Sequence, residues 1–246
     1  MTPERATKIT SVLNARQPDL TLIADRIHKG RNLAAIVRSC DAVGMGQIHA
    51  VMSEDEFRPF KGTAMGSNQW VDVALHDDIS APIDWARQRG MQILVADVDD
   101  QPDKRCVSYS EVDYSRPSAI VMGSEIKGVS TFSREQADTN IYIPMVGMVE
   151  SLNVSVAAAI ILNEARAQRQ RAGYYQQRRI SAAHFQQLFF RWGYPRLAAF
   201  CQLRGIDFPP LLANGDIDDP DGHWRAHARA LEAPSPSVDT GNIRAG

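Results

Sequence analysis

Three short segments limit the architecture more than anything else in this chain. "MQILVADV" (91–98), "SAIVMG" (118–123) and "IYIPM" (141–145) are apolar at nearly every position. A strand with one wet face alternates apolar and polar residues, whereas these runs need cover on both faces. Parallel sheets with helices on either side provide that cover. "LTLIADRI" (20–27), "QIHAVM" (47–52) and the shorter "VDVAL" (71–75) add further strands. Helical stretches lie between them: Asn32 to Gly44, "SAPIDWARQRG" (80–90) and a long helix from Ser151. The spacing predicts an α/β fold, a parallel sheet flanked by helices. Before it, Thr2 caps a helix with Pro3 at its first position and Ile9, Val12 and Leu13 on its buried stripe. After it, "SAAHFQQLFFRWGYPRLAAFCQLRG" (181–205) reads as one or two more helices, and the Pro/Ser/Gly-rich tail as disordered.

A chain of 246 residues has room for one large domain with additions at its ends. No apolar run reaches the ~18 residues of a membrane span, and the charged N-terminus lacks a signal-peptide core. Cys40, Cys106 and Cys201 are scattered and odd in number, which fits a reduced, cytoplasmic setting better than secretion. The net charge of -2 conceals an uneven distribution. Residues 160–206 hold eight arginines against one acid, Glu164, and residues 207–246 hold seven acids against three arginines. A basic face of this kind suits a phosphate-rich partner, or is simply a solvated helix face.

Several chemistries lack their residues. "GMGQIH" (44–49) misses the third glycine of a dinucleotide fingerprint, and there is no P-loop. The six histidines show no HExxH or paired spacing, so no metal is expected. "DIDDPDG" (216–222) resembles a calcium loop, but Pro220 and His227 stand where ligands should. Ser151 has no GxSxG elbow, which makes it a poor acyl nucleophile.

In open parallel sheets ligands bind beyond the carboxyl ends of strands. Polar residues and glycines gather at those ends here, at Ala96-Asp97, Met122–Glu125, Ile143–Met145 and the turn before Asn32. Three segments stand out. In "NLAAIVRSCDAVG" (32–44), Asn32 caps a helix and Arg38 follows roughly 240° around it. Arg38 suits a phosphate or carboxylate, although a plain surface arginine would read the same. In "MGSEIKG" (122–128), Gly123 and Gly128 bracket a turn where backbone can approach a ligand, and Glu125 sits near a helix start. In "IPMVGMVESLNVSVAAAI" (143–160), Ser151, Leu152 and Asn153 open a helix of small residues.

In this order and spacing the three segments resemble the motifs of the SPOUT-class (TrmH-type) RNA ribose 2′-O-methyltransferases. The first motif corresponds to Asn32, Arg38 and Gly44, the second to "GSEIKG", the third to "IPMVGMVESLNVSVAAAI". The likeness spans about residues 1–205. "RQPDLTL" and "GYP" (193–195) are most similar to the tRNA guanosine-18 subgroup.

The resemblance implies a C-terminal trefoil knot and a homodimer with the active site at the subunit interface. It implies an N-terminal helical extension at 1–19, a methyltransferase domain at 20–172, a helical RNA-binding extension at 173–232 and a disordered tail at 233–246. S-adenosylmethionine would be held by Ala96, Gly123, Ile143, Met148 and Leu152, and its methyl group passed to a ribose 2′-hydroxyl of tRNA. Arg38 would bind the neighbouring phosphate and ribose, since a guanidinium is a poor base. Asn32, Ser151 and Asn153 would orient ribose or arginine, and Glu125 would fix Asn32 and the cofactor loop. RNA affinity would come from Arg5, Lys8, Arg16, Arg166, Arg169, Arg171, Arg178 and Arg179, with Tyr174 and Tyr175 interleaved. The same chemistry on ribosomal RNA is the alternative.

Overall fold

The computed structural model describes all residues except 28, 54–56, 58–68, 98–105, 125–126, 213, 225 and 228–246. The expected glycine loop around Gly62 and Gly66 and the tail at 233–246 therefore lie outside the described residues. The chain forms two compact units, Ser11–Ser181 and Met1–Thr10 with Ala182–Gly246.

In the larger unit seven parallel strands form one sheet: β1 (Leu20–Asp25), β2 (Gln47–Val51), β3 (Asp72–His76), β4 (Gln92–Ala96), β5 (Cys106–Ser108), β6 (Ser118–Gly123) and β7 (Thr139–Tyr142). Their spatial order is β3-β2-β1-β6-β4-β7-β5. α1 (Pro3–Asn14) straddles the division at Thr10, and the described helices of the larger unit are α2 (Gly30–Ala42), α3 (Ser80–Gln88), α4 (Thr131–Gln136) and α5 (Val154–Arg171). The backbone N–H of Arg5 reaches the Thr2 hydroxyl at 3.3 Å, so α1 carries the side-chain cap its sequence announces.

Continuous apolarity in the central strands has a plain outcome, because successive side chains enter opposite cores. Leu20, Leu22 and Ala24 of β1 meet Leu33, Ile36 and Val37 of α2 and Ala158, Ile161 and Leu162 of α5. Ile23 of β1, Val95 of β4 and Val121 of β6 meet Ile83 and Ala86 of α3 on the other side. Sequence reading overlooks β5, because three half-buried edge residues leave no apolar run. It also starts α5 too early. The helix begins at Val154, and Asn153 is its N-cap, with Oδ1 accepting from the Ser155 backbone N–H at 2.9 Å.

In the smaller unit, α6 (Ala182–Gly193) and α7 (Pro195–Arg204) are two separate helices. Pro195 opens α7 at the position where its missing N–H costs nothing, and Gly205 closes it at φ 62°. Phe190, Leu197, Ala198, Cys201 and Ile217 form its core. No helix among the described residues is long and apolar enough to cross a membrane.

Candidate functional site

Strands β6, β4 and β7 are neighbours, so the loops leaving their carboxyl ends share one mouth. A cavity of about 270 Å³ lies there. Ala96 and Asp97 line it after β4, Met122, Gly123, Ser124 and Gly128 at the end of β6, and Ile141, Tyr142 and Ile143 from β7 onward. Glu150, Ser151 and Leu152 lead into α5, whose Val154, Ala157 and Ile161 complete the wall. Most of the wall is apolar or main chain, which suits a flat heteroaromatic ring. Carboxylates and hydroxyls are available for a polar remainder.

The turn after β6 is folded back on itself. Ser124 and Gly128 form an antiparallel bridge, with N–H to carbonyl distances of 3.0 and 2.9 Å. This brings the Gly128–Val129 peptide so close to Gly123 that a Cβ there would lie 2.2 Å from the Gly128 carbonyl carbon. Glycine at 123 is a steric requirement. Gly128 turns at φ 64°, a left-handed conformation in which a side chain would be strained. Glu125 lies outside the described residues.

Asn153 links the site to α2. Its Oδ1 is occupied by the Ser155 N–H and hydroxyl, at 2.9 and 2.6 Å. Its Nδ2 consequently faces Asn32 and donates to Asn32 Oδ1 at 3.3 Å. Two asparagines 121 residues apart are thus joined, Asn153 as the N-cap of α5 and Asn32 not as the expected cap but inside the first turn of α2, which starts at Gly30 after Lys29. Ser151 lines the cavity beside them. Arg38 is exposed six residues along α2, about 9 Å of rise from Asn32, and has no hydrogen bond or ion pair among the described residues. Among the expected cofactor residues, Ala96, Gly123, Ile143 and Leu152 line the cavity, whereas the Met148 side chain is fully exposed outside it.

Some arginines read as RNA contacts have other work. Arg16 is 1 % exposed, pairs with Asp41 at 3.0 Å and donates to the carbonyls of Met45 and Trp70. Arg169 is 0 % exposed and donates to Asp19 Oδ1 at 2.7 Å and to the carbonyls of Asp19, Tyr114 and Arg116. Neither can reach a phosphate; both are structural cations that satisfy main-chain carbonyls. Arg179 grips both oxygens of Asp19 at 2.8 Å and lies 3.9 Å over the Tyr174 ring. Burial alone would raise the Asp19 carboxyl, but the hydrogen bonds and charges of Arg169 and Arg179 hold it below the usual carboxylate range. Tyr175 gives its hydroxyl to the Val43 carbonyl at 2.7 Å, and both tyrosines are half-buried. Arg5, Lys8, Arg171 and Arg178 are exposed, and Arg166 is half-buried against Gln170.

Sequence profiles decide the family. That of the SpoU rRNA Methylase family matches residues 19–163, and that of the SpoU rRNA methylase C-terminal region matches residues 167–220. The chain belongs to the SpoU methylase family. It is similar to the tRNA (guanosine(18)-2′-O)-methyltransferase of Escherichia coli (strain K12), 41% identical over 232 residues covering 94% of this chain and 99% of the relative. Among solved SpoU-type structures it is similar to the TrmH/SpoU tRNA modifying enzyme of A. aeolicus, with a TM-score of 0.71 and 37% identity. That match covers 78% of this chain and 96% of the other. An AdoMet-bound rRNA methyltransferase from Sinorhizobium meliloti superposes with a TM-score of 0.55 at 27% identity, covering 64% of this chain and 59% of that one.

Within this SpoU methylase, one cavity residue and its partner carry little sequence signal. Asp97 was visible only as an acid at the end of an apolar strand. Arg134, which donates to Asp97 Oδ2 from α4, gave no local signal, because the contact joins residues 37 apart.

Proposed function

We propose that the chain is an S-adenosylmethionine-dependent RNA 2′-O-methyltransferase that modifies the ribose of guanosine 18 in the D-loop of tRNA. The near full-length match to the enzyme of that name from Escherichia coli carries this reading. The cavity fits the cofactor: apolar walls for an adenine ring, main-chain groups at three strand ends, and polar side chains at its rim. When bound, S-adenosylmethionine supplies a methyl group on a sulfonium.

The protein's part is to hold and activate the ribose hydroxyl. Arg38, exposed and permanently charged, binds the phosphate beside the target ribose and lowers the cost of removing the O2′ proton. That proton leaves to a phosphate oxygen or water. Asn32 and Asn153, already joined, position the ribose, and Ser151 lines the cavity. Arg38→Ala and Arg38→Lys should each reduce turnover at least about a hundredfold while cofactor affinity stays within about twofold. Lysine keeps the charge but loses the planar fork. Turnover near wild type in either variant would remove Arg38 from the mechanism.

In the same reading, the segment from β7 into α5 threads a trefoil knot around the cofactor. The exposed apolar side chains of Val146, Met148, Val149 and Val156 support pairing of two copies with the site at their interface. The groove lined by Tyr109, Val156, Ala159 and Ile160 supports it too. Light scattering should give twice the chain mass. RNA is held through exposed Arg171 and Arg178 and half-buried Arg166 and Arg179 on the larger unit, and through exposed Arg5 and Lys8 on the smaller one. Three free cysteines suit a cytoplasmic location.

The deciding assay incubates the protein with labelled S-adenosylmethionine and unmodified tRNA transcripts, then maps the labelled nucleotide by mass spectrometry. Label on the ribose at position 18 is expected. Label in ribosomal RNA and none in any tRNA would reassign the substrate.

A further inference from the structure

The cavity contains an acid that the proposed methyl transfer does not use. Asp97 follows β4, lines the cavity, and has a side chain only 18% exposed. Its main chain is pinned, because its N–H meets the carbonyls of Val95 and Ile141 at 3.0 and 3.2 Å. Its Oδ2 accepts from Arg134 Nε. Arg134 reaches across the turn after β6, where a Cβ on Gly128 would stand 3.5 Å from its Nη2. Asp97 Oδ1 has no hydrogen-bond partner among the described residues. One carboxylate oxygen is therefore held by a cation, and the other has no partner among the described residues on a side chain that lines the cavity.

A partly enclosed carboxylate recruits hydrogen-bond donors, because an unmet charged acceptor is costly away from water. The cofactor has three kinds of donor, a ribose diol, an ammonium group and the adenine 6-amino group, and of the two neutral ones only the diol sets two adjacent O–H groups toward one carboxylate. Burying an ammonium carries a heavy desolvation penalty, and Arg134 already neutralises much of the Asp97 charge. Neutral hydroxyls are the better match for this acid. Glu150, on the same cavity but exposed, suits the cation without full desolvation.

We propose that Asp97, held in place by Arg134, accepts hydrogen bonds from the ribose 2′,3′-diol of the adenosyl cofactor. This rests on reading the cavity as the S-adenosylmethionine site. Asp97 is then a cofactor-binding residue and Arg134 a positioning residue.

Calorimetry on the full chain tests this with S-adenosylhomocysteine, 5′-methylthioadenosine, which lacks the amino-acid portion, and the 2′,3′-dideoxy analogue of S-adenosylhomocysteine. Asp97→Asn is expected to weaken the first two by a common factor of about tenfold to a hundredfold, as loss of a charge-assisted hydrogen bond would. The dideoxy analogue should bind wild type and variant alike. Arg134→Gln should show the same pattern with a smaller factor, and thermal melts confirm that both variants fold. Unchanged affinity of Asp97→Asn for S-adenosylhomocysteine would overturn the proposal. So would an undiminished loss on the dideoxy analogue, or a loss confined to ligands carrying the amino acid. Failure of the wild type to bind S-adenosylhomocysteine would refute the reading of the cavity itself.

Discussion

Gly123→Ala should leave no measurable cofactor binding and only background methyl transfer. The added Cβ would stand 2.2 Å from the carbonyl carbon of Gly128 and 2.3 Å from the amide nitrogen of Val129. Both are main-chain atoms, so no side chain can swing aside. The turn must open, which breaks the two Ser124–Gly128 hydrogen bonds and moves the wall that Gly123, Ser124 and Gly128 give to the cavity. Interiors are packed too densely to absorb such a shift. Gly147→Ala is the control from the segment between β7 and α5, because a Cβ there meets nothing within 4 Å. It should bind within about twofold of wild type by calorimetry. Wild-type affinity in Gly123→Ala would mean that the turn is dispensable for the site.

Asp19→Asn carries the largest expected loss of stability. Arg169 is fully buried, and Asp19 is its counter-ion at 2.7 Å, with Arg179 on both oxygens at 2.8 Å. Removing the carboxylate leaves a buried guanidinium without compensation beside a second cation. Breaking such a pair costs about 3–5 kcal/mol, which corresponds to a fall in Tm of roughly 6–20 °C. The pH dependence follows from the direction of the shift. The folded carboxyl titrates below its ordinary 3.8, so its contribution is present above that value and fades as pH falls through the lower, folded one. The gap in Tm between wild type and variant should accordingly be widest near neutrality and shrink in acid. Arg171→Gln offers the contrast. Its side chain is 68% exposed and 3.5 Å from Glu164, and the change should cost under about 1 kcal/mol. Equal melting curves for Asp19→Asn and wild type would show that Arg169 needs no counter-ion.

The arginines show where local pattern stops being informative. Arg166, Arg169 and Arg171 come from one run of α5 and look alike in sequence, yet they are half-buried, fully buried and exposed in turn. The helix turns about 100° per residue, so neighbours in a basic run face different surroundings. What singles out Arg169 is Asp19, some 150 residues earlier. Arg16 looks like a surface cation in sequence for the same reason, since Asp41 and the carbonyls of Met45 and Trp70 come from other parts of the unit. The strands behaved differently. β6 has the limits its apolar run indicates, residues 118–123, because a run buried on both faces carries its own signal. β7 departs from its run, spanning Thr139–Tyr142 rather than the expected 141–145, and β5, short and half-buried at the sheet edge, lacks such a run altogether.

By itself the sequence determined the fold class, the strand ends where a ligand would sit, and the three segments that mark the family. Each of these depends on local chemistry: side-chain periodicity, glycine where backbone must approach backbone, and polar residues at helix starts. Tertiary structure decided which of those residues meet. It joined Asn32 to Asn153, set Asp97 under Arg134, and buried Arg16 and Arg169 as structural cations. A hydrogen bond or ion pair depends on distance in space, and distance between remote residues exists only once the sheet has set the order β6-β4-β7.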